Sequence, residues 1–277
     1  MTLSCLDQKN EKLKQFIAQK GKDGVVIAFS GGVDSSTLAA VCHEVLGKKA
    51  IAVIAKSPTY TSEEMVDAEA VAKEIGIKLL EVETDELSNE DFSRNPENRC
   101  YYCKKELLKR LLEEANKLGF KAVFEGTNFS DLSEHRPGFQ AVRELANVYS
   151  PWFENEFTKD EIRLLAKRME LSIHDKPSLA CLASRISFNE RITSEKLARV
   201  EKAEEEIKKI VRVKQLRVRD HNGLARIEVH RDERNLLSSP EVQDKIDHAL
   251  RKLGFRYVTV DLAGYQTGSM LRALKTD

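Results

Sequence analysis

The stretch Gly24-Val25-Val26-Ile27-Ala28-Phe29-Ser30-Gly31-Gly32-Val33-Asp34-Ser35-Ser36 narrows the choice of fold more than any other part of the chain. An apolar run rich in β-branched residues ends in two glycines, and an Asp and two serines lead into the apolar segment 37–46. The pattern predicts a buried strand, a turn tight enough to need glycine, and a helix whose first N–H groups face the turn. Unpaired N–H groups and the positive end of the helix dipole make an anion site, to which the hydroxyls of Ser30, Ser35 and Ser36 add donors. Two glycines after a strand can also be a plain turn, but Asp-Ser-Ser opening a helix at that place favours the anion site. No Gly-Lys-Ser/Thr closes the stretch, so it is not a Walker A loop, and no Gly-x-Gly-x-x-Gly fingerprint occurs.

The pattern repeats downstream. Apolar runs at 50–55, 77–82, 121–124 and 147–150 predict strands. Segments 34–46, 62–75, 105–118 and 159–169 predict helices, and a charged amphipathic helix is expected over 8–20. Alternating strands and helices predict an α/β fold, a doubly wound parallel sheet with ligands at the carboxyl ends of its strands. Backbone near 53–57 is where such a sheet would hold a base. A second strand end, Glu125-Gly126-Thr127-Asn128-Phe129-Ser130-Asp131, should face the same crevice, with Gly126 and Thr127 as nucleotide contacts. Glu125 and Asp131 are read there as either Mg2+ ligands or loop caps. After a helix at 194–209, the strands 213–218, 224–229 and 256–262, the turn Asn222-Gly223 and the helix 240–253 predict a smaller α+β unit. The expected domains are 1–187, carrying the nucleotide site and the cysteines, and 188–277, for substrate binding or homo-oligomer formation.

The 277 residues carry zero formal net charge and 41% hydrophobic residues, enough for a proper core. No apolar run approaches the ~20 residues of a membrane span and no signal-peptide core is evident, so a cytoplasmic protein with no membrane partner is expected. The charge is unevenly spread: residues 186–277 hold 19 Lys+Arg against 15 Asp+Glu. Lys208, Lys209, Arg212, Lys214, Arg217 and Arg219 form the basic core of this half. It suits an anionic small molecule, and without a strong overall basic excess a nucleic-acid partner is not expected.

Five cysteines, an odd number, argue for metal or thiol chemistry rather than a disulfide framework. Cys42 lies on an apolar stretch and reads as a buried structural thiol, and Cys5 is left out of the chemistry. Arg99-Cys100-Tyr101-Tyr102-Cys103-Lys104 opens a helix, bringing two thiols together beside positive charge. By itself the pair could also be a redox site or a chance spacing. Cys181 sits in Lys176-Pro177-Ser178-Leu179-Ala180-Cys181-Leu182-Ala183-Ser184-Arg185, a segment without periodicity.

The 30–36 stretch resembles the pyrophosphate loop of the PP-loop ATP pyrophosphatases, which split ATP into AMP and pyrophosphate. Together with residues 95–104, 125–131, Arg136-Pro137-Gly138 and 177–185, the chain resembles over nearly its whole length the LarE family within that superfamily. Those proteins are ATP-dependent sulfurtransferases that convert carboxylates of a pyridinium biscarboxylic acid mononucleotide to thiocarboxylates, in nickel-pincer cofactor biosynthesis. The resemblance implies ATP held by Ser30, Gly31, Gly32, Asp34, Ser35, Ser36, Gly126 and Thr127, with Mg2+ at Asp34. It also implies substrate phosphate at Arg217 and Arg219. One branch of the family sacrifices the sulfur of a cysteine matched here by Cys181. The other holds a [4Fe-4S] cluster on three cysteines, and Cys100, Cys103 and Cys181 make this chain resemble that branch. Sulfide or a sulfur-donor protein would then be a partner. Alternatives from other classes are a PP-loop tRNA thiolase, an amide-forming ATP pyrophosphatase, and a zinc-binding non-enzyme using His174 as a fourth ligand. Glu201 and Glu205 are candidates for polar contacts to substrate, or simply a solvated helix face.

Overall fold

The computed structural model describes residues 5–133, 137–177, 180–266 and 268–274. His135, Arg136, Ser178 and Leu179 of the motif segments lie outside the described residues. The chain divides into two compact units, Met1–Glu86 with Cys100–Leu179, and Leu87–Arg99 with Ala180–Asp277.

In the first unit α1 (Cys5–Lys20) precedes β1 (Val25–Phe29), α2 (Val33–Leu46), β2 (Ala50–Lys56), α3 (Ser62–Ile75) and β3 (Lys78–Glu83). The short α4 (Glu90–Ser93) belongs to the second unit, and α5 (Arg99–Lys117) resumes the first. Then come β4 (Ala122–Phe124), α6 (Pro137–Glu144), β5 (Val148–Tyr149), α7 (Pro151–Glu154) and α8 (Lys159–Arg168). The sheet order is β3-β2-β1-β4-β5, and all pairings are parallel. The expected doubly wound α/β sheet is thus present, and its order reverses between β1 and β4. At such a switch point adjacent loops diverge to opposite faces and leave a crevice.

Alternation along β1 feeds two layers. Val25, Ile27 and Phe29 join a core with Leu13, Ile17 and Leu38, while Val26 joins a second with Leu108, Leu111 and Val123. Burying each such Leu or Ile stabilises the fold by roughly 1.5–3 kcal/mol. Helix starts are fixed locally: Thr61 with Glu64 and Thr158 with Glu161 form capping boxes at α3 and α8.

The second unit holds α9 (Ser194–Ile210), β6 (Leu216–His221), β7 (Leu224–Val229), α10 (Pro240–Lys252) and β8 (Tyr257–Val260). β6 and β7 form an antiparallel hairpin, and β8 lies parallel to β7. Asn222 (φ 49°) and Gly223 (φ 88°) turn the hairpin, and both positions need a residue that tolerates left-handed backbone. This is the smaller α+β unit the sequence predicts. β6 starts and ends three residues later than its apolar pattern suggests; it runs on past Val218 because Arg219 and Asp220 are buried in it beside charge partners.

Candidate functional site

Between β1 and α2 the 30–36 loop turns on Gly31, whose φ of 66° favours glycine. A Cβ there would also stand 2.8 Å from the Ala68 backbone of α3. At Gly32 the requirement differs. Among the described residues a Cβ would meet only Ser30 Oγ, at 3.4 Å, at the start of α2. The Ser35 hydroxyl donates to the Gly32 carbonyl (3.2 Å), accepts the Ser30 N–H (3.2 Å) and lies 3.0 Å from Ser30 Oγ. With its one proton committed to Gly32, Ser35 accepts from the Ser30 hydroxyl. The buried Trp152 indole N–H donates to the Asp34 carbonyl at 3.0 Å, fixing the loop from β5's side of the sheet.

Two oxygens in this loop find no partner among the described residues. Ser36 is fully buried and its Oγ makes no hydrogen bond, and Asp34 Oδ1 is buried without one. An unsatisfied buried oxygen costs about 1–3 kcal/mol, so two on one loop point to a ligand that satisfies them. Burial pushes the Asp34 carboxyl up, and the neighbouring Lys159 ammonium only partly offsets it. These groups fit a phosphate with its cation: an acidic oxygen for Mg2+, a hydroxyl, and orphan N–H groups at a helix start.

The end of β4 abuts this loop. A Cβ on Gly126 would stand 3.3 Å from the Ser35 nitrogen and 3.4 Å from Asp34 Cβ, so any side chain there would push on the loop. Thr127 follows, its N–H and hydroxyl donating to Glu125. Gly126 is thus brought against the 34–35 backbone, with Thr127 next to it in the chain. Glu125 itself is fully buried and accepts hydrogen bonds from Lys104 (2.7 Å), Thr127 and Ser150. Burial alone would raise its carboxyl, but those donors hold it below the usual carboxylate range. It is an internal anchor, as Asp131 is a cap on the Asn128 N–H (3.1 Å).

Two lysines that sequence patterns do not single out face the loop. Lys159, first residue of α8, is ion-paired with Asp34 through Oδ2. Lys176 reaches the Gly31 carbonyl at 3.4 Å and Asp67 at 2.8 Å. From sequence, Lys159 reads as the inside of a capping box and Lys176 as the residue before a Pro. Nothing in one dimension tells that both return to β1.

Cys100 and Cys103 lie in the first two turns of α5, Cys100 exposed and Cys103 half-buried, with Cys103 Sγ 4.0 Å from the buried Glu86 carboxylate. Cys42 is wholly buried, which pushes its thiol far up and agrees with a structural role. His174 directs Nδ1 to the Leu171 carbonyl at 3.1 Å. Among the described residues no group of three or more His, Cys, Asp and Glu side chains is arranged to hold a metal ion.

Cys181 belongs to the second unit, exposed, at the N-terminal cap of a short turn, residues 182–185. That turn is tied down by Arg185, which donates to the Ala180 and Cys181 carbonyls and pairs with buried Glu204 of α9 at 3.0 Å. The sequence singles out Glu201 and Glu205, but Glu204 is the acid that α9 turns inward. Arg219 is buried against Glu228, with two bonds of 3.0 and 2.7 Å, and donates to the Ser184 carbonyl. Its neighbour two residues away is less satisfied. Arg217 donates to the Leu216 carbonyl (2.6 Å), lies over the Tyr265 ring, and keeps a buried Nε that finds no partner among the described residues. Burial, then the Arg185 charge, lowers its affinity for its proton.

A family model described as NAD synthase matches residues 5–111, the part that carries the 30–36 loop. An uncharacterised protein of Synechocystis is 41% identical over 97% of this chain and 99% of its own length. An uncharacterised protein of Methanocaldococcus jannaschii is 32% identical over 92% and 96%. The pyridinium-3,5-bisthiocarboxylic acid mononucleotide synthase of Lactiplantibacillus plantarum is 34% identical over 91% of both chains. With a relative of stated activity matched over 91% of both chains, and with the PP-loop fold in place, the chain belongs to the LarE family of pyridinium-3,5-bisthiocarboxylic acid mononucleotide synthases.

Proposed function

We propose that the chain is an ATP-dependent sulfurtransferase that turns a carboxylate of a pyridinium biscarboxylic acid mononucleotide into a thiocarboxylate. The observation that carries the ATP half is the pair of unpartnered buried oxygens, Asp34 Oδ1 and Ser36 Oγ, on a glycine-rich loop at the sheet's switch point. The family supplies the substrate class.

A carboxylate is a poor electrophile, and activation answers that. A substrate carboxylate oxygen bonds to the α-phosphorus of ATP, the bond to the β-phosphate oxygen breaks, and pyrophosphate leaves. Ser30, Ser35, Ser36 and the N–H groups at the start of α2 hold that pyrophosphate, with Mg2+ at Asp34. Hydrosulfide then bonds to the acyl carbon, AMP departs with the former carboxylate oxygen, and the thiol proton passes to solvent. Gly126 and Thr127 border the nucleotide, and Arg217 takes the substrate's phosphate, with Arg219 fixed beside it by Glu228. Cys100, Cys103 and Cys181 would be the residues to hold a [4Fe-4S] cluster: three thiols that enter no disulfide, two of them one helical turn apart. Such a cluster, if bound by these thiols, would supply sulfide for repeated turnover. The cytoplasm suits this chemistry because the thiols must stay reduced.

The test is anaerobic reconstitution with iron and sulfide, followed by turnover with ATP, Mg2+, sulfide and the biscarboxylate mononucleotide. Many turnovers with Cys181 intact by mass spectrometry support the proposal. A single turnover in which Cys181 loses the elements of hydrogen sulfide would assign the sulfur to the cysteine itself.

A further inference from the structure

After β8 the chain of the second unit returns to β7 by a route that needs glycine. Residues 261–264 form a turn: the Asp261 carboxylate accepts the Ala263 N–H at 2.8 Å, and the Asp261 carbonyl accepts the Gly264 N–H at 3.0 Å. Gly264 has a φ of 72°, and a Cβ on it would stand 2.7 Å from the Val229 carbonyl oxygen. The N–H of Tyr265 donates to that same carbonyl at 2.7 Å. Further along, Ser269 donates to the buried Glu228 at 2.9 Å, and the Met270 sulfur accepts from Arg226 at 3.4 Å. Between these anchors the Tyr265 ring lies against the Arg217 guanidinium, whose central carbon is 5.6 Å from the ring centre.

What Arg217 lacks is an acid. Its neighbours Arg185 and Arg219 each make two bonds to a buried glutamate, Glu204 and Glu228 respectively. Those carboxylates are filled further, Glu204 by the Val218 N–H and Glu228 by Arg226 and Ser269. Arg217 is left between the like charges of Arg185 and Arg219, and among the described residues its hydrogen bonds stop at the Leu216 carbonyl, with Nε unmatched. The electron-rich face of an aromatic ring attracts such a cation without taking up any of its N–H groups. A carboxylate at position 265 would both neutralise the guanidinium and occupy its donors. A ring leaves charge and donors to a ligand.

We propose that Tyr265 is a positioning residue for the substrate's phosphate: its ring holds the Arg217 side chain in place with donors left over, so that a phosphate dianion meets a guanidinium already oriented. The dianion then supplies the negative charge that no carboxylate gives to Arg217, and the ring stays where it is. Tyr265 acts through Arg217 and through the contact of its ring, not through its hydroxyl. This rests on the reading of Arg217 as the residue that takes the substrate's phosphate, and it adds the residue that keeps Arg217 fit for that task.

The experiment is calorimetric titration of the intact chain with two ligands, the biscarboxylate mononucleotide and the same nucleoside without its phosphate. The readout is the ratio of the two affinities, from which a partial loss of folded protein cancels. Tyr265→Leu is expected to weaken the mononucleotide about fivefold, as loss of a partly desolvated cation–π contact gives, and to leave the nucleoside unchanged. Tyr265→Phe, which keeps the ring, should bind both ligands as the unaltered chain does. In an Arg217→Leu background, Tyr265→Leu should cost nothing more, because the two residues act as one unit. An unchanged ratio in Tyr265→Leu, a Tyr265→Phe variant as weak as Tyr265→Leu, or a further loss in the double variant overturns the role of Tyr265 while leaving the phosphate on Arg217. An unaltered chain that binds the mononucleotide no better than the nucleoside, or an Arg217→Leu variant with its ratio intact, overturns the reading of Arg217 itself, and the role of Tyr265 with it.

Discussion

In the first unit Asp34 and Ser36 each keep a buried oxygen with no partner, whereas in the second unit the buried carboxylates of Glu204 and Glu228 are fully supplied with donors. Glu204 takes Arg185 and the Val218 N–H, and Glu228 takes Arg219, Arg226 and Ser269. The contrast separates two uses of polar groups inside a protein. Where every lone pair is filled, the group holds architecture, and lone pairs left over in a glycine-rich loop at the sheet's switch point leave room for a ligand. By that measure Arg219 belongs to the architecture and Arg217, with its unpartnered Nε, belongs with Asp34 and Ser36.

The largest effect expected from this division is on stability. Arg219→Leu strips Glu228 of two bonds and leaves a buried carboxylate short of charge. It should lower the unfolding free energy by about 3 kcal/mol in urea titrations. Arg217→Leu should lower it by less than about 1 kcal/mol yet weaken binding of the substrate mononucleotide about tenfold. Equal stability losses at both positions would erase the distinction.

A second pair sharpens the comparison within the loop. Gly31→Ala forces a side chain into left-handed backbone and against Ala68, and should cost on the order of 2 kcal/mol as well as ATP binding. Gly32→Ala should leave the melting temperature nearly unchanged and still weaken ATP, since its Cβ fills the space in front of α2. Loss of stability at Gly32 would mean that the space is structural.

The smallest effect concerns surface charge. Glu90 is held down at about 2 by its hydrogen bonds to Arg191 and Arg94, against an ordinary value of 4.5. A carboxyl depressed in the folded state stabilises it fully above 4.5, and that contribution fades as pH falls toward 2. Unfolding followed across this window should show the fade in the unaltered chain and less of it in Glu90→Gln. The group is exposed and salt will screen the difference.

How much of the molecule is legible in the sequence follows from how local each cause is. β1, the 30–36 loop and α2 are written in consecutive residues, as are the capping boxes of α3 and α8 and the Asn222-Gly223 turn. β6 is displaced from its pattern by its own chemistry: apolarity stops at Val218, while the strand runs through Arg219 and Asp220, made burial-worthy by Glu228 and by Arg199 of α9. Lys159, Lys176 and Glu204 are not legible as site residues because their partners lie up to 145 positions away. Nor does anything in one dimension announce that Leu87–Arg99 packs with Ala180–Asp277, which Asn95 helps secure by donating to the Ile186 and Ser187 carbonyls.

The central claim is that ATP activates an oxygen of the substrate carboxylate. A substrate whose carboxylates carry heavy oxygen, turned over with ATP and sulfide, follows that oxygen directly by mass spectrometry of the nucleotide. Transfer of one heavy atom into AMP, with none in pyrophosphate, is the predicted result. Heavy oxygen in pyrophosphate, or thiocarboxylate formed with unlabelled AMP, would contradict adenylation of the carboxylate.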